Sequence, residues 1–293
     1  MTRVSPKVLA LLGALTLVWG TNWPLFRIAL DELPVLTFRT IVLATGTVML
    51  AAIVAIRRES FAVPKGKWPA LIAASAMNIL IWNIATSLAV LYIPSGHASV
   101  LAYTMPLWVA LIGLVVFGQR LTGRLLAAIL IGAAAVATLM APNFHGYAQA
   151  PAGLFWGLLA GFCWAVGTFI VKRTSWPGMG LSLTFWQVVL SLPPVALGAL
   201  LIDGLPTYWP SAKALSATLY TGAIPMALGT ATWFALVKLL PAQVAALSSI
   251  AIPIVAIVSG ILILHEPLSA LQAVAIASTV ISLWLALMPA RQR

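Results

Sequence analysis

Apolar runs of about twenty residues follow one another along the whole chain, separated by brief clusters of Pro, Gly and charge and by no extended polar region. Crossing the hydrocarbon core of a bilayer takes about 20 mostly apolar residues at roughly 1.5 Å of rise each. The breaks divide the chain into ten such runs, near 8–30, 35–56, 69–91, 95–117, 123–141, 151–173, 181–202, 213–238, 241–264 and 269–289. Each is too long for an ordinary strand and long enough for a membrane-spanning helix. The pattern predicts an all-α integral membrane protein of ten transmembrane helices, with loops too short to hold a separate domain.

Composition agrees: 62% of residues are hydrophobic, 7% are charged and the mean hydropathy is +1.07. An ordinary soluble domain is roughly 25% charged, so lipid must be the solvent here. The formal charge of +11 would suit a nucleic-acid partner only if the basic residues shared one soluble face with aromatics among them. They are scattered through short loops, and no nucleic-acid partner is expected.

The same residues set orientation, because positive loops stay cytoplasmic. With the N-terminus inside, thirteen of the sixteen basic residues lie inside: Arg3, Lys7, Arg57, Arg58, Lys65, Lys67, Arg120, Arg124, Lys172, Arg173, Lys238, Arg291 and Arg293. Only Arg27, Arg39 and Lys213 fall outside, with Asp31, Glu32, Asp203 and Glu266. A multi-pass protein of the inner cell membrane with both termini cytoplasmic is expected. Arg3 and Lys7 before an apolar stretch resemble a secretory leader, but no small-residue cleavage site follows and further spans do. Cys163, inside an apolar run, excludes a disulfide framework or a Cys-based zinc site.

Sliding the chain on itself by 147 residues aligns Pro94 with Pro241, Ala98 with Ala245, Pro106 with Pro253, Gly113 with Gly260 and Leu121 with Leu268 in one ungapped register. The same offset pairs Gly20-Thr21 with Gly167-Thr168, Thr37-Phe38 with Thr184-Phe185, and Pro142 with Pro289. The halves are 1–146 and 147–293, each with five spans. An odd number of spans forces the second half into the membrane upside down, so two inverted five-helix repeats are expected. Many secondary transporters gain two interchangeable conformations from such symmetry.

Polar groups inside a bilayer are costly unless they find partners or line a wet cavity. Trp19, Thr21 and Asn22 lie near the middle of span 1, Asn78, Trp82 and Asn83 in span 3, and Tyr103 and Thr104 in span 4. The second half offers Trp164, Thr168, Gln187, Thr230, Trp233, Ser248 and Ser249, while spans 5 and 10 are nearly all aliphatic. Spans 1, 3, 4, 6, 8 and 9 are therefore expected to wall a pathway, with 5 and 10 as scaffold. Candidate substrate-binding residues are Trp19, Asn22, Asn78, Trp82, Asn83, Tyr103, Trp164, Gln187, Trp233 and Ser248. Asn78 and Trp82, at i and i+4, share a helix face; for any single Asn or Ser the competing role is an interhelical bond. Pro106 and Pro253 fall at the centres of spans 4 and 9, where each lacks an amide hydrogen, and equivalent bends there are expected to act as hinges. Gly153, Gly157, Gly161 and Ala165 form a small-residue ridge suited to close helix packing.

An i,i+4 pair with Asp31 or reach to the headgroups accounts for Arg27; for Arg39, assistance to a substrate carboxylate at the mouth is the functional alternative. All five acidic residues lie in loops or at span ends, which leaves no mid-membrane proton relay and points to gradient-driven transport. An enzyme would need a nucleophile with its base, paired aspartates within spans, or a His-Glu-x-x-His zinc site; His265-Glu266 is followed instead by Pro267-Leu268-Ser269. No cofactor or metal is expected. The partners expected are a small-molecule substrate and the lipid bilayer, for a protein acting as a monomer.

The two five-span halves, the stretch from Leu17 to Trp23 (Leu-Val-Trp-Gly-Thr-Asn-Trp) and the Pro94 to Pro106 and Pro241 to Pro253 segments resemble the drug/metabolite transporter superfamily, and its EamA-type members in particular. His265-Glu266-Pro267-Leu268 resembles the family's short motif between the last two spans, from which Gly118-Gln119-Arg120-Leu121 in the first half departs. The resemblance implies a basket of ten helices around a central cavity and export of amino acids or similar small amphiphilic metabolites, with aromatic amino acid exporters of the YddG type nearest. Import or export of another metabolite or drug, or a facilitative channel, is the alternative.

Overall fold

Proline, glycine and charge decide where each helix begins and ends, as the hydropathy pattern anticipates. The computed structural model describes residues 6–118, 123–140, 150–205, 207–237, 242–268 and 270–287. Arg3, Gln119, Arg120, Leu121, Pro142, Lys238, Pro241, Pro289, Arg291 and Arg293 lie outside the described residues. Among those described, every regular element is helical. The helices are α1 (Pro6–Leu30), α2 (Val35–Ile56), α3 (Trp68–Tyr92), α4 (Ser95–Phe117), α5 (Gly123–Met140), α6 (Ala150–Arg173), α7 (Ser182–Asp203), α8 (212–237), α9 (Ala242–Leu264) and α10 (Ala270–Leu287). Each overlaps one predicted span to within two residues. Among the described residues, five of them, α2, α3, α4, α6 and α7, are long and apolar enough to cross a membrane.

Pro34 and Pro94 stand in extended backbone immediately before α2 and α4, where a missing amide hydrogen costs nothing. Ser211 starts α8, its Oγ accepting from the Ala214 amide at 3.2 Å. Left-handed backbone ends α4 at Gly118 (φ 60°), a conformation glycine adopts without strain.

Among the described residues, three helices carry π-helical turns. Residues Ala76–Ile81 of α3, Ala199–Asp203 of α7 and Gly222–Gly229 of α8 are wound as π-helix. Pro225 lies within the last of these and cannot donate to a backbone ladder. Shifted by 147, residues 76–81 fall on 223–228, so α3 and α8 widen at matching positions. The fourth helix is broken: Ser95–Ala102 and Met105–Phe117 meet at a turn through Tyr103 and Thr104, and Pro106 stands in the first turn of the second piece. The expected equivalence of Pro106 and Pro253 is therefore only partial, since Pro253 sits inside the unbroken α9. At the start of a helix the proline ring meets no preceding carbonyl, and the turn relieves the clash that a continuous helix would carry.

Packing joins the halves of the chain. The α1 helix lies along α9, α2 along α7, and α5 along α10, where Ser282 Oγ donates to the Ala128 carbonyl at 2.5 Å. The small-residue ridge on α6 seats α4: a side chain at Gly157 would meet Leu101, and one at Gly161 would meet the Ala102 carbonyl. Carboxylates tie helix ends together. At one end of the α2–α7 pair Asp203 accepts from the Thr37 amide at 2.7 Å and its hydroxyl at 2.9 Å. At the other, Glu59 accepts from the Leu181 amide at 2.7 Å, so the two helices run antiparallel with an acid on each N-terminus, the end that favours negative charge. Glu266 does the same for α4 through the Ser95 and Gly96 amides at 2.7 and 3.3 Å, and Glu32 for α8 through the Ser211 amide at 2.6 Å and hydroxyl at 2.5 Å. Asp31 pairs with Arg27 at 3.1 Å, as the i,i+4 spacing implies.

Candidate functional site

A cavity of about 140 Å³ opens between α1, α3, α4, α6, α8 and α9, the six helices whose polar and aromatic positions mark them as walls. An apolar cavity of about 150 Å³ accepts a benzene ring, so the space suits one aromatic or branched aliphatic group. Five of the twelve tryptophans line it: Trp19, Trp23, Trp82, Trp164 and Trp233. Such a concentration around one cavity is a wall, not an interfacial belt.

The rings are held against one another. Trp82 of α3 and Trp164 of α6 pack with centroids 4.7 Å apart, Trp82 meets Tyr103 edge-on at 6.4 Å, and Tyr103 in turn meets Trp23 at 6.4 Å. On the opposite wall Trp19 and Trp233 are 5.6 Å apart, and Trp19 Nε1 donates to the Pro225 carbonyl, inside the π-helical part of α8, at 3.1 Å. The break in α4 is what delivers both Tyr103, in the turn, and Met105, at the start of the second piece, to the cavity, since positions two apart on one straight helix point about 200° away from each other.

Polar groups are few and mostly engaged. Asn22 Oδ1 accepts from Thr221 Oγ1 at 2.9 Å, bridging α1 and α8. Asn83 Oδ1 and Thr86 Oγ1 accept from Arg39 Nη1 and Nη2, each at 3.0 Å, and Ser87 Oγ accepts from Arg39 Nε at 2.5 Å. The hydroxyls of Tyr103 and Thr230, and the indole N–H groups of Trp82 and Trp164, bond to no other described residue and remain available to a guest.

Seven of the ten sequence candidates thus line the cavity: Trp19, Asn22, Trp82, Asn83, Tyr103, Trp164 and Trp233. Asn78 and Gln187 do not. Asn78 does share the α6-facing side of α3 with Trp82, but it sits over Gly167, whose missing side chain makes room for its amide, and Nδ2 donates to Gln187 Oε1 at 3.1 Å. With Ser75 and Ser191, 2.9 Å apart, these residues lock α3 to α7. The π-helical turn through Asn78 advances the chain between it and the cavity, so equal spacing on an ideal helix does not give equal reach. The Ser248 side chain lies outside the described residues. Spacing alone missed Phe26, Ile79, Met226 and Ile252, which line the cavity and are indistinguishable by residue type from lipid-facing residues. It also put Arg39 at the mouth, whereas the side chain is 1% exposed, buried behind the wall between Phe26 and Phe38. A signal was present: Asn83, Thr86 and Ser87, at i, i+3 and i+4, form one polar stripe on α3 that only an inward-facing donor could satisfy.

The EamA-like transporter family matches this chain twice, over residues 6–141 and 151–288. The chain belongs to that family. This EamA-like protein is a multi-pass membrane transporter and not an enzyme. It is 29% identical to the uncharacterized transporter YvbV of Bacillus subtilis (strain 168) over 88% of its own length and 84% of that protein's. A protein of Escherichia coli (strain K12) named as a probable amino-acid metabolite efflux pump is 28% identical over 90% of this chain and 89% of its own. One solved crystal structure superposes with a TM-score of 0.67 across 97% of both chains at 20% identity, a likeness of fold.

Proposed function

We propose that this EamA-like transporter exports small amphiphilic amino acids, aromatic or otherwise apolar, from the cytoplasm by alternating access. The observation that carries the reading is the cavity: ring-sized, walled by Trp19, Trp82, Tyr103, Trp164 and Trp233, and bordered by a few neutral polar groups. An apolar body with one polar end fits such a site, since the rings supply contact area and the unspent indole and hydroxyl groups orient the head. The name of the Escherichia coli relative supports the same substrate class.

In this reading all ten helices cross the inner membrane, both termini are cytoplasmic, and residues 1–146 and 147–293 are inverted repeats. Support comes from the antiparallel α2–α7 pair, the matched π-helical turns of α3 and α8, and the two-part family match. The turn before Pro106 and the region of Pro253 serve as hinges in the helices that cover the cavity from either half. The substrate's own gradient drives the cycle, because each of the five carboxylates is engaged at a helix end and none stands in the cavity.

The test is flux in proteoliposomes with a panel of radiolabelled amino acids and unrelated metabolites. Saturable efflux of phenylalanine, tryptophan or leucine, little stimulated by an imposed pH gradient, is the expected result. Strong stimulation by that gradient would overturn the driving-force assignment, and flux of none of the amino acids would overturn the substrate class.

A further inference from the structure

Among the described residues no carboxylate neutralises the charge of Arg39. All five carboxylates are accounted for at helix ends: Asp31 on Arg27, Glu32 on Ser211, Glu59 on Leu181, Asp203 on Thr37 and Glu266 on Ser95. The guanidinium, which does not deprotonate in proteins, is instead solvated by three neutral oxygens and by the faces of Phe26 and Phe38, whose centroids lie 4.1 and 4.8 Å from Cζ. Hydrogen bonds and ring faces stabilise the ion, but they leave its net charge and its field in a low-dielectric surrounding.

That field falls on the cavity. Asn83, Thr86 and Phe26 touch Arg39 with one side and line the cavity with another, so a single layer of side chains separates the guanidinium from a guest. The oxygens of Asn83 and Thr86 are engaged by Arg39, so the two acceptors nearest the guanidinium are turned toward it and away from an ammonium group. What the wall still offers includes the indole donors of Trp82 and Trp164, groups that can only give a hydrogen bond. A positive interior behind a wall whose unspent indole groups only donate is complementary to a carboxylate. An ionisable residue within a membrane span is by default a functional group whose partner has to be named; here no side chain fills that place.

We infer that Arg39 is a specificity-determining residue that selects cargo bearing a carboxylate, acting through Asn83 and Thr86, so that zwitterionic or anionic aromatic acids are carried and aromatic amines lacking an acid group are rejected. The inference rests on the transport reading above and narrows its substrate class.

Competition against efflux of radiolabelled phenylalanine tests it, using three compounds of one carbon skeleton: 3-phenylpropionate, 3-phenylpropan-1-ol and 3-phenylpropylamine. The wild-type protein is expected to favour acid over alcohol over amine, with at least about tenfold between the ends of the series. Arg39→Lys, which keeps the charge and loses the fork, should preserve that order. Arg39→Gln should flatten it. An amine that competes as well as the acid in the wild type overturns the inference while leaving transport intact, and this arm needs no variant to fold. Equal flattening by Lys and Gln, or an unchanged order in Arg39→Gln, overturns it as well. Absence of phenylalanine efflux from the wild type removes the transport reading and the inference together.

Discussion

Trp164 and Gly167 lie three residues apart on α6 and meet the same neighbour, α3, at two different levels. Trp164 packs on Trp82 at the cavity wall, while Gly167 makes room for the Asn78 amide in the polar lock with Gln187. Trp164→Ala is expected to raise KM for an aromatic substrate by roughly 2- to 10-fold, the worth of one aromatic pair of about 0.5–1.5 kcal/mol. Gly167→Ala should instead push Asn78 off Gln187 and lower stability by about 1–3 kcal/mol, with KM unchanged in the protein that remains folded. Thermal unfolding in detergent, read beside flux kinetics, separates the two; a Gly167→Ala variant with altered KM and full stability would reverse the assignment. Residue type alone told Trp164 and Tyr103 from their lipid-facing neighbours. It could not tell Asn78 from Asn83, because both are interior amides and only the partner, Gln187 for one and Arg39 for the other, divides lock from wall.

Helix ends were legible in the sequence because Pro34, Pro94 and the charged clusters fix them by backbone chemistry that acts locally. The π-helical turns were not: Ala76–Ile81 contains no proline or glycine, and a widened turn is imposed by packing against α6 and α7. Nor does sequence show which helix end each acid will cap, since all four pairings span more than a hundred residues. The Glu32 clasp on α8 gives this a pH signature. The Ser211 hydroxyl first, and its amide second, hold the Glu32 carboxyl below its ordinary range. A folded-state pKa below the unfolded one means the clasp contributes fully above the unfolded value and is lost as pH falls through the folded one. The protection factors of the amides of residues 211–214, with the intrinsic pH dependence of exchange divided out, should therefore fall on acidification below the ordinary carboxylate range. Glu32→Gln should show low protection there at every pH.

Over the whole molecule, the 147-residue offset was visible because prolines and glycines mark places where backbones bend or touch, and the same offset relates the widened turns of α3 and α8. The cavity between the halves was legible as a set of helices and not as a volume, since its shape depends on the break in α4 and the aliphatic residues that close it. The confinement of every acidic side chain to a helix end has an electrical consequence. With no carboxylate available to travel, the charge moved in one turnover is that of the cargo. Carrying a zwitterion should then be indifferent to voltage, whereas a singly charged acid leaving an inside-negative cell should gain about 2.3 kcal/mol per 100 mV. Clamping vesicles with potassium and valinomycin distinguishes them: phenylalanine flux should stay constant, and flux of 3-phenylpropionate should rise with the imposed potential.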